Sequence, residues 1–175
     1  MSSSSAAFDE SHAIKCELAS EVLNRSGSLR LKVMGWSMLP AVWPGDTLVI
    51  ERIRKEDVVN GDIVLFNRDR RLFAHRVVSS SSAGDLTVLT RGDAMPAPDP
   101  LVPGSDPLGK VSFIIRNGKC IEPSKSLRLS QRAVSAVFQR SEIAARLVVG
   151  IHGLRQNSQN QASQLQASNV QSSQL

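Results

Sequence analysis

The sequence has no tyrosine, and aromatic residues fill only 4% of its 175 positions. So few rings argue against a nucleic-acid binder that stacks bases on an aromatic platform. Cysteine is nearly absent too. Cys16 and Cys120 lie far apart with no CxxC pair and no third ligand, so neither a zinc site nor a disulfide scaffold is expected. They read as buried free thiols of a reducing compartment, with a single long-range disulfide as the alternative. No run reaches the length of a membrane span. The nearest, residues 133–151, is interrupted by Arg140, Glu142 and Arg146, and the first 25 residues lack the apolar core of a signal peptide. The phosphate-binding patterns GxGxxG and GxxxxGK[ST] are missing. Charge of one sign is also scarce: 21 Lys and Arg against 16 Asp and Glu leave +5. Such a small surplus permits an anionic partner without arguing for one. A cytoplasmic protein with no metal, cofactor or nucleic-acid partner is expected, and the length suits one domain with a modest core.

What is present divides the chain. Residues 1–8 are Ser-rich and expected to be disordered. Residues 9–26 are expected to form an amphipathic helix with Ile14, Leu18 and Val22 on one face, Ser11 as N-cap and Gly27 as stop. From Leu29 short apolar runs alternate with Gly, Pro and Asp: 29–34, 47–53, 62–66, 72–79, 85–90 and 109–116. They predict a mainly β fold, a compact, curled antiparallel domain over residues 29–122 flanked by N- and C-terminal helices. Turns are expected at 59–62 and 82–85, and Pro96, Pro98, Pro100, Pro103 and Pro107 at a stiff loop outside the sheet. Residues 129–152 predict a second helix, and 153–175 a disordered polar tail. Helices 9–26 and 129–152 are candidates for peripheral contact with a membrane or a membrane protein.

Three segments can carry chemistry. In VMGWSMLPAVWPGD (33–46), Ser37 follows a predicted strand, with Gly35 ahead of it and Pro40 behind. A glycine there allows close approach or a positive φ, and backbone N–H groups around such a bend can converge on an oxyanion. Alone, the segment reads more readily as a Ser in a Gly/Pro turn. In LFAHRVV (72–78), alternation puts His75 on the face of Phe73 and Val77, with Arg76 opposite. A histidine among apolar neighbours can stay neutral and accept a proton near pH 7, or can be an inert core residue. In VLTRGDAMPAPDP (88–100), Asp93 and Asp99 sit on a rigid loop, where a carboxylate can orient an imidazole or simply cap a turn. Together they make one constellation: a hydroxyl that needs a base, a base, and a carboxylate to hold it.

The same segments carry a resemblance. GWSMLPAVWPGD (35–46), NGDIVLF (60–66), AHRVV (74–78) and TRGDAMPAPDP (90–100) resemble, in order, the boxes of the S24/S26 serine peptidase superfamily, which includes signal peptidases and LexA-like self-cleaving repressors. The likeness extends from about Lys32 to Lys119. It implies Ser37 as nucleophile and His75 as base, as in the Ser/His branch of signal peptidases, since no lysine lies between Lys55 and Lys110. It implies Asp99 as the orienting carboxylate, with Asp93 as runner-up, and Gly35 and Arg76 as oxyanion-side or structural residues. Many signal peptidases carry a Ser where this chain has Gly35, as LexA-like members do, so the oxyanion would rest on backbone amides. The expected activity is that of a serine endopeptidase acting on an extended peptide or protein substrate. The alternatives are a non-catalytic interaction module of the same fold, or a LexA-like self-cleaving factor.

Overall fold

Among the described residues, apolar runs punctuated by turn residues become seven strands behind one helix. The computed structural model describes residues 3–81, 87–101 and 107–127. In order these form α1 (Ser3–Ser26), β1 (Ser28–Lys32), β2 (Thr47–Arg52), a short 3₁₀ turn (Lys55–Asp57), β3 (Ile63–Arg68), β4 (Arg71–Ser81), β5 (Thr87–Arg91), β6 (Pro107–Arg116) and β7 (Lys119–Ile121). The expected helix 129–152, the tail 153–175, the turn at 82–85 and Pro103 lie outside the described residues.

The strands pair in the order β1-β2-β6-β3-β4-β5, with β7 on the far end of β6. Every described pairing is antiparallel. The fold is thus predominantly β with one N-terminal helix among the described residues. The centre is β3, whose Ile63, Val64, Leu65 and Phe66 are all buried. Ile63 and Leu65 join a core with Leu23, Met38, Val42, Leu48, Ile50, Val111 and Ile114. Val64 and Phe66 point the other way, into a smaller cluster with Val58 and Val77. A strand covered on both faces needs a continuous apolar run, which is what IVLF supplies.

Several expectations change. The helix begins at Ser3, so the stretch expected to be disordered over 1–8 is helical from Ser3 onward and Ser11 lies inside the helix instead of capping it. Its docking face is also different. Cys16, Ala19 and Leu23 are buried, while Ile14 and Leu18 are each 57% exposed. Small side chains at Cys16 and Ala19 let the helix approach the sheet, which bulky Ile14 and Leu18 would prevent. At its end the Gly27 N–H donates to the Leu23 carbonyl at 3.1 Å, as the expected stop requires.

The two thiols are free, but only Cys16 is buried and Cys120 is exposed. Pro107 is not a loop residue; it opens β6 opposite Phe66, a strand-start position that needs no N–H. The first strand stops at Lys32, and Met34 is 83% exposed. β7 was not expected: it returns through Asn117-Gly118, both at positive φ (50° and 73°), the two-residue hairpin that Asn-Gly favours. Asp69 and Arg70 (φ 51° and 58°) make the same kind of turn between β3 and β4.

β6 is wedged between β2 and β3 at Gly109, which pairs with Arg52 on one side and Leu65 on the other. A Cβ on Gly109 would lie 2.7 Å from the Glu51 carbonyl oxygen and 2.7 Å from Ile50 Cγ2. Gly109→Ala is therefore expected to cost about 1–3 kcal/mol in urea unfolding, by overpacking. Gly35→Ala, where a Cβ meets nothing within 4 Å, is expected to stay within about 0.5 kcal/mol of wild type.

Candidate active site

The segment after β1 turns back on itself. Leu39 N–H donates to the Trp36 carbonyl (3.0 Å) and Val42 N–H to that of Met38 (3.0 Å), so Ser37 opens a tight helical turn. Buried Met38, Leu39 and Val42 anchor this turn in the core and leave Ser37 at its rim. The far end is clamped by Asp46, 1% exposed. Arg116 of β6 donates to Asp46 through Nε (2.9 Å) and Nη2 (2.7 Å), and Nη2 also reaches the Ala41 carbonyl (3.0 Å). The Trp43 N–H adds a bond to Asp46 Oδ2 at 2.8 Å.

β4 brings His75 to this turn. Pairing with Val64 of β3 sets its height, and the Phe66 and Phe73 rings stand 5.8 and 5.7 Å from its own. His75 Nε2 lies 2.8 Å from Ser37 Oγ, and Nδ1 lies 2.7 Å from Asp99 Oδ2. An ionised carboxylate only accepts hydrogen bonds, so Nδ1 carries the proton and Nε2 accepts from the Ser37 hydroxyl.

Asp99 sits on the proline loop after β5, held by its own N–H on the Thr90 carbonyl (2.8 Å). Thr90 Oγ1 donates to Oδ2 (2.7 Å), and Arg68 Nη1 to Oδ1 (3.1 Å). Burial pushes the Asp99 carboxyl up. The hydrogen bond and charge of His75, with the bonds from Thr90 and Arg68, outweigh it and hold the group below its ordinary value. Among the described residues no buried side-chain nitrogen or oxygen lacks a partner, and no three His, Cys, Asp or Glu cluster as metal ligands.

The remaining candidates are placed differently. Asp93 accepts from Arg76 through both oxygens, Nε to Oδ1 and Nη2 to Oδ2, each 2.8 Å. Arg76 Nη1 donates to the Gly61 (2.9 Å) and Ser124 (2.6 Å) carbonyls. Arg76 thus ties β4, the 59–62 turn, the proline loop and the chain after β7 together through four hydrogen bonds. Gly35 is exposed, with open space where a side chain would be and no positive φ, so neither of the reasons expected for a glycine there applies.

Sequence reasoning passed over Arg68, which lies in a polar hairpin, and Thr90. It also passed over Gly92, although that residue lies inside the quoted GD box. A Cβ on Gly92 would lie 2.6 Å from the Ser37 carbonyl oxygen and 3.1 Å from Ser37 Cβ. The next N–H but one, from Ala94, donates to that same carbonyl at 2.8 Å. The Gly-Asp turn is therefore the surface against which the Ser37 backbone rests. A cleft of about 590 Å³ along α1, lined by residues including Cys16, Glu21 and Asn67, contains none of these groups.

The family model described as Peptidase S24-like matches residues 3–98. The chain belongs to the S24/S26 peptidase superfamily. The S24 match starts earlier than the resemblance at Lys32 suggests, taking in α1, and contains Ser37, His75 and Asp93. It stops one residue short of Asp99, whose position opposite His75 is a matter of the fold. Searches of curated proteins and of solved structures found no match. No helix among the described residues of this S24 chain is long and apolar enough to cross a membrane.

Two outcomes follow from this geometry. Gly92→Ala must displace the Ser37 backbone or Met95, and is expected to cost about 1–3 kcal/mol in urea unfolding, by overpacking. Because the Asp99 carboxyl is depressed in the folded state, the stability it contributes is present above the unfolded carboxyl value, near about 3.9. That stability is lost as pH falls through the lower folded value. Asp99→Asn should therefore lose stability near neutral pH and show a flatter acid limb in urea unfolding measured from neutrality down to about pH 3.

Proposed function

We propose that this chain is a serine endopeptidase in which Ser37 is the nucleophile, His75 the general base and Asp99 the carboxylate that orients it. The observation carrying this reading is the unbroken hydrogen-bonded chain Ser37 Oγ to His75 Nε2 (2.8 Å) and His75 Nδ1 to Asp99 Oδ2 (2.7 Å). A serine hydroxyl is a weak nucleophile until a base takes its proton, and the base must present a bare ring nitrogen to it. Asp99 keeps the proton on Nδ1 and so leaves Nε2 free to act.

The steps follow. As Ser37 Oγ attacks the scissile carbonyl carbon, its proton passes to His75 Nε2, and the imidazolium is stabilised by Asp99. The carbonyl oxygen gains the charge. The backbone N–H of Ser37 makes no hydrogen bond among the described residues and is the donor we assign to that oxyanion. His75 returns the proton to the departing amine as the C–N bond breaks, leaving an acyl group on Ser37. Water then loses a proton to Nε2, attacks the ester, and frees the acid and the Ser37 hydroxyl. With Gly35 rather than a hydroxyl residue two positions ahead, one side-chain donor is absent, which typically costs about 3 kcal/mol of transition-state stabilisation. A slow enzyme is expected. The substrate is an extended peptide lying against a strand edge, with small apolar side chains next to the cleaved bond, as the family likeness implies.

Labelling with a serine-directed phosphonate between about pH 6 and 9 tests this reading. Wild type should label, Ser37→Ala should not, and His75→Ala should label about 10²–10⁴-fold more slowly. Folded wild type that neither labels nor cleaves a small-residue peptide would overturn it.

A further inference from the structure

Resting on that reading, we propose that Arg68 is a positioning residue that acts through Asp99 to keep His75 a neutral base at lower pH than the histidine–carboxylate pair alone would allow. Asp99 Oδ2 serves His75 and Thr90, and its other oxygen, Oδ1, is taken by Arg68 Nη1 at 3.1 Å. The guanidinium is built into place. It lies with its carbon 4.5 Å from the centre of the Phe73 ring and 5.8 Å from that of Phe66, and the Arg68 side chain is only 15% exposed. Those two rings are cross-strand partners on β3 and β4, and both also flank His75. One aromatic pair thus sets the places of the base and of the cation behind its carboxylate.

A lone carboxylate beside an imidazole favours the protonated ring, which cannot accept a proton from serine. A fixed positive charge on the far oxygen of that carboxylate opposes a second positive charge on the ring. Asp99 then orients Nδ1 without making the ring too ready to protonate. The charged and polar groups around His75 are few. Asp99 and, behind it, Arg68 and Thr90 stand on one side, and Ser37 on the other. Asp69 draws on Arg68 only at 3.9 Å and is exposed. The Arg76–Asp93 pair holds the opposite face of β4 and neutralises itself. No other carboxylate is seen on Arg68 among the described residues, so its charge is directed at Asp99.

Two substitutions separate charge from packing. Arg68→Met keeps an unbranched side chain over Phe73 and removes the cation, while Arg68→Lys keeps the cation. Thr90 and the Asp99 N–H bond to the Thr90 carbonyl still hold Oδ2 on His75 in both. Two readouts are compared with wild type: the pH profile of phosphonate labelling, and the ¹⁵N spectrum of the His75 imidazole across the same pH range. The acid limb of Arg68→Met should move to higher pH. Labelling at its acid end should fall several-fold to about tenfold, tenfold being one pH unit, with little change on the alkaline plateau. The Met variant should also keep the protonated-ring ¹⁵N pattern to higher pH, and Arg68→Lys should restore wild-type behaviour on both readouts. A Met variant whose two profiles coincide with wild type, or move to lower pH, overturns the inference. If wild type fails to label, the peptidase reading falls and the ¹⁵N spectra alone decide the role of Arg68. Should Arg68→Met not fold, Arg68→Gln replaces it under the same criteria.

Discussion

The four residues Ile63–Phe66 are buried on both faces of the sheet, and much of the molecule takes its position from them. A strand covered on two sides must be paired on two edges, since an unpaired backbone group in that interior would cost as much as a lost hydrogen bond. β3 meets this with β4 on one edge and β6 on the other. The first pairing sets His75 opposite Val64, and Phe73 opposite Phe66. The second sets Gly109 beside Leu65 and carries β6 on to β2 and to Arg116, which reaches the end of the Ser37 turn. A slip of one residue along β4 would turn His75 to the other face and bring Arg76 in its place.

Two loops complete the site, and three arginines on strands tie them down. Arg116 of β6 holds Asp46 at the end of the Ser37 turn. Arg76 of β4 holds Asp93, next to the glycine on which Ser37 rests. Arg68 of β3 holds Asp99 against His75. Such pairs lose much of their attraction to the desolvation of both charges, so their net contribution to stability is small. Their directional, multi-bond geometry contributes elsewhere: it fixes where a flexible segment sits. Three separate chain segments are thereby held to within a hydrogen bond of one another, which is what proton transfer needs.

Much of this was legible in the chain before any coordinates. The six apolar runs from 29–34 to 109–116 each correspond to a strand within a few residues, because alternation and bounding turn residues are local signals. The turn at 59–62 also shows: Asp62 N–H reaches the Val59 carbonyl and its side chain the Val59 N–H. What failed was what depends on partners. The buried face of α1 was misread because Ile14 and Leu18 are more apolar than Cys16 and Ala19, whereas the packing rewards small residues that permit close approach. β7 escaped notice although Asn117-Gly118 is a strong hairpin signal, since only three residues follow it in the strand.

For the site, residue types and order named Ser37, His75 and two carboxylates as candidates, because a serine nucleophile needs a base and the base an orienter. The family resemblance put Asp99 ahead of Asp93, but residue type and local pattern did not separate them. Both lie in one short loop, and which of them meets the Nδ1 side of His75 depends on how that loop folds back on Thr90, a long-range fact. The same holds for Arg68: as text it is one of several basic residues in a polar hairpin, and only the register of β3 with β4 lays it over Phe73 and against Asp99. The sequence by itself determined the strands, the family and the chemical groups available, since these follow from local pattern. The tertiary structure decided which groups touch, because contacts between residues far apart in the chain are set by strand register and by burial.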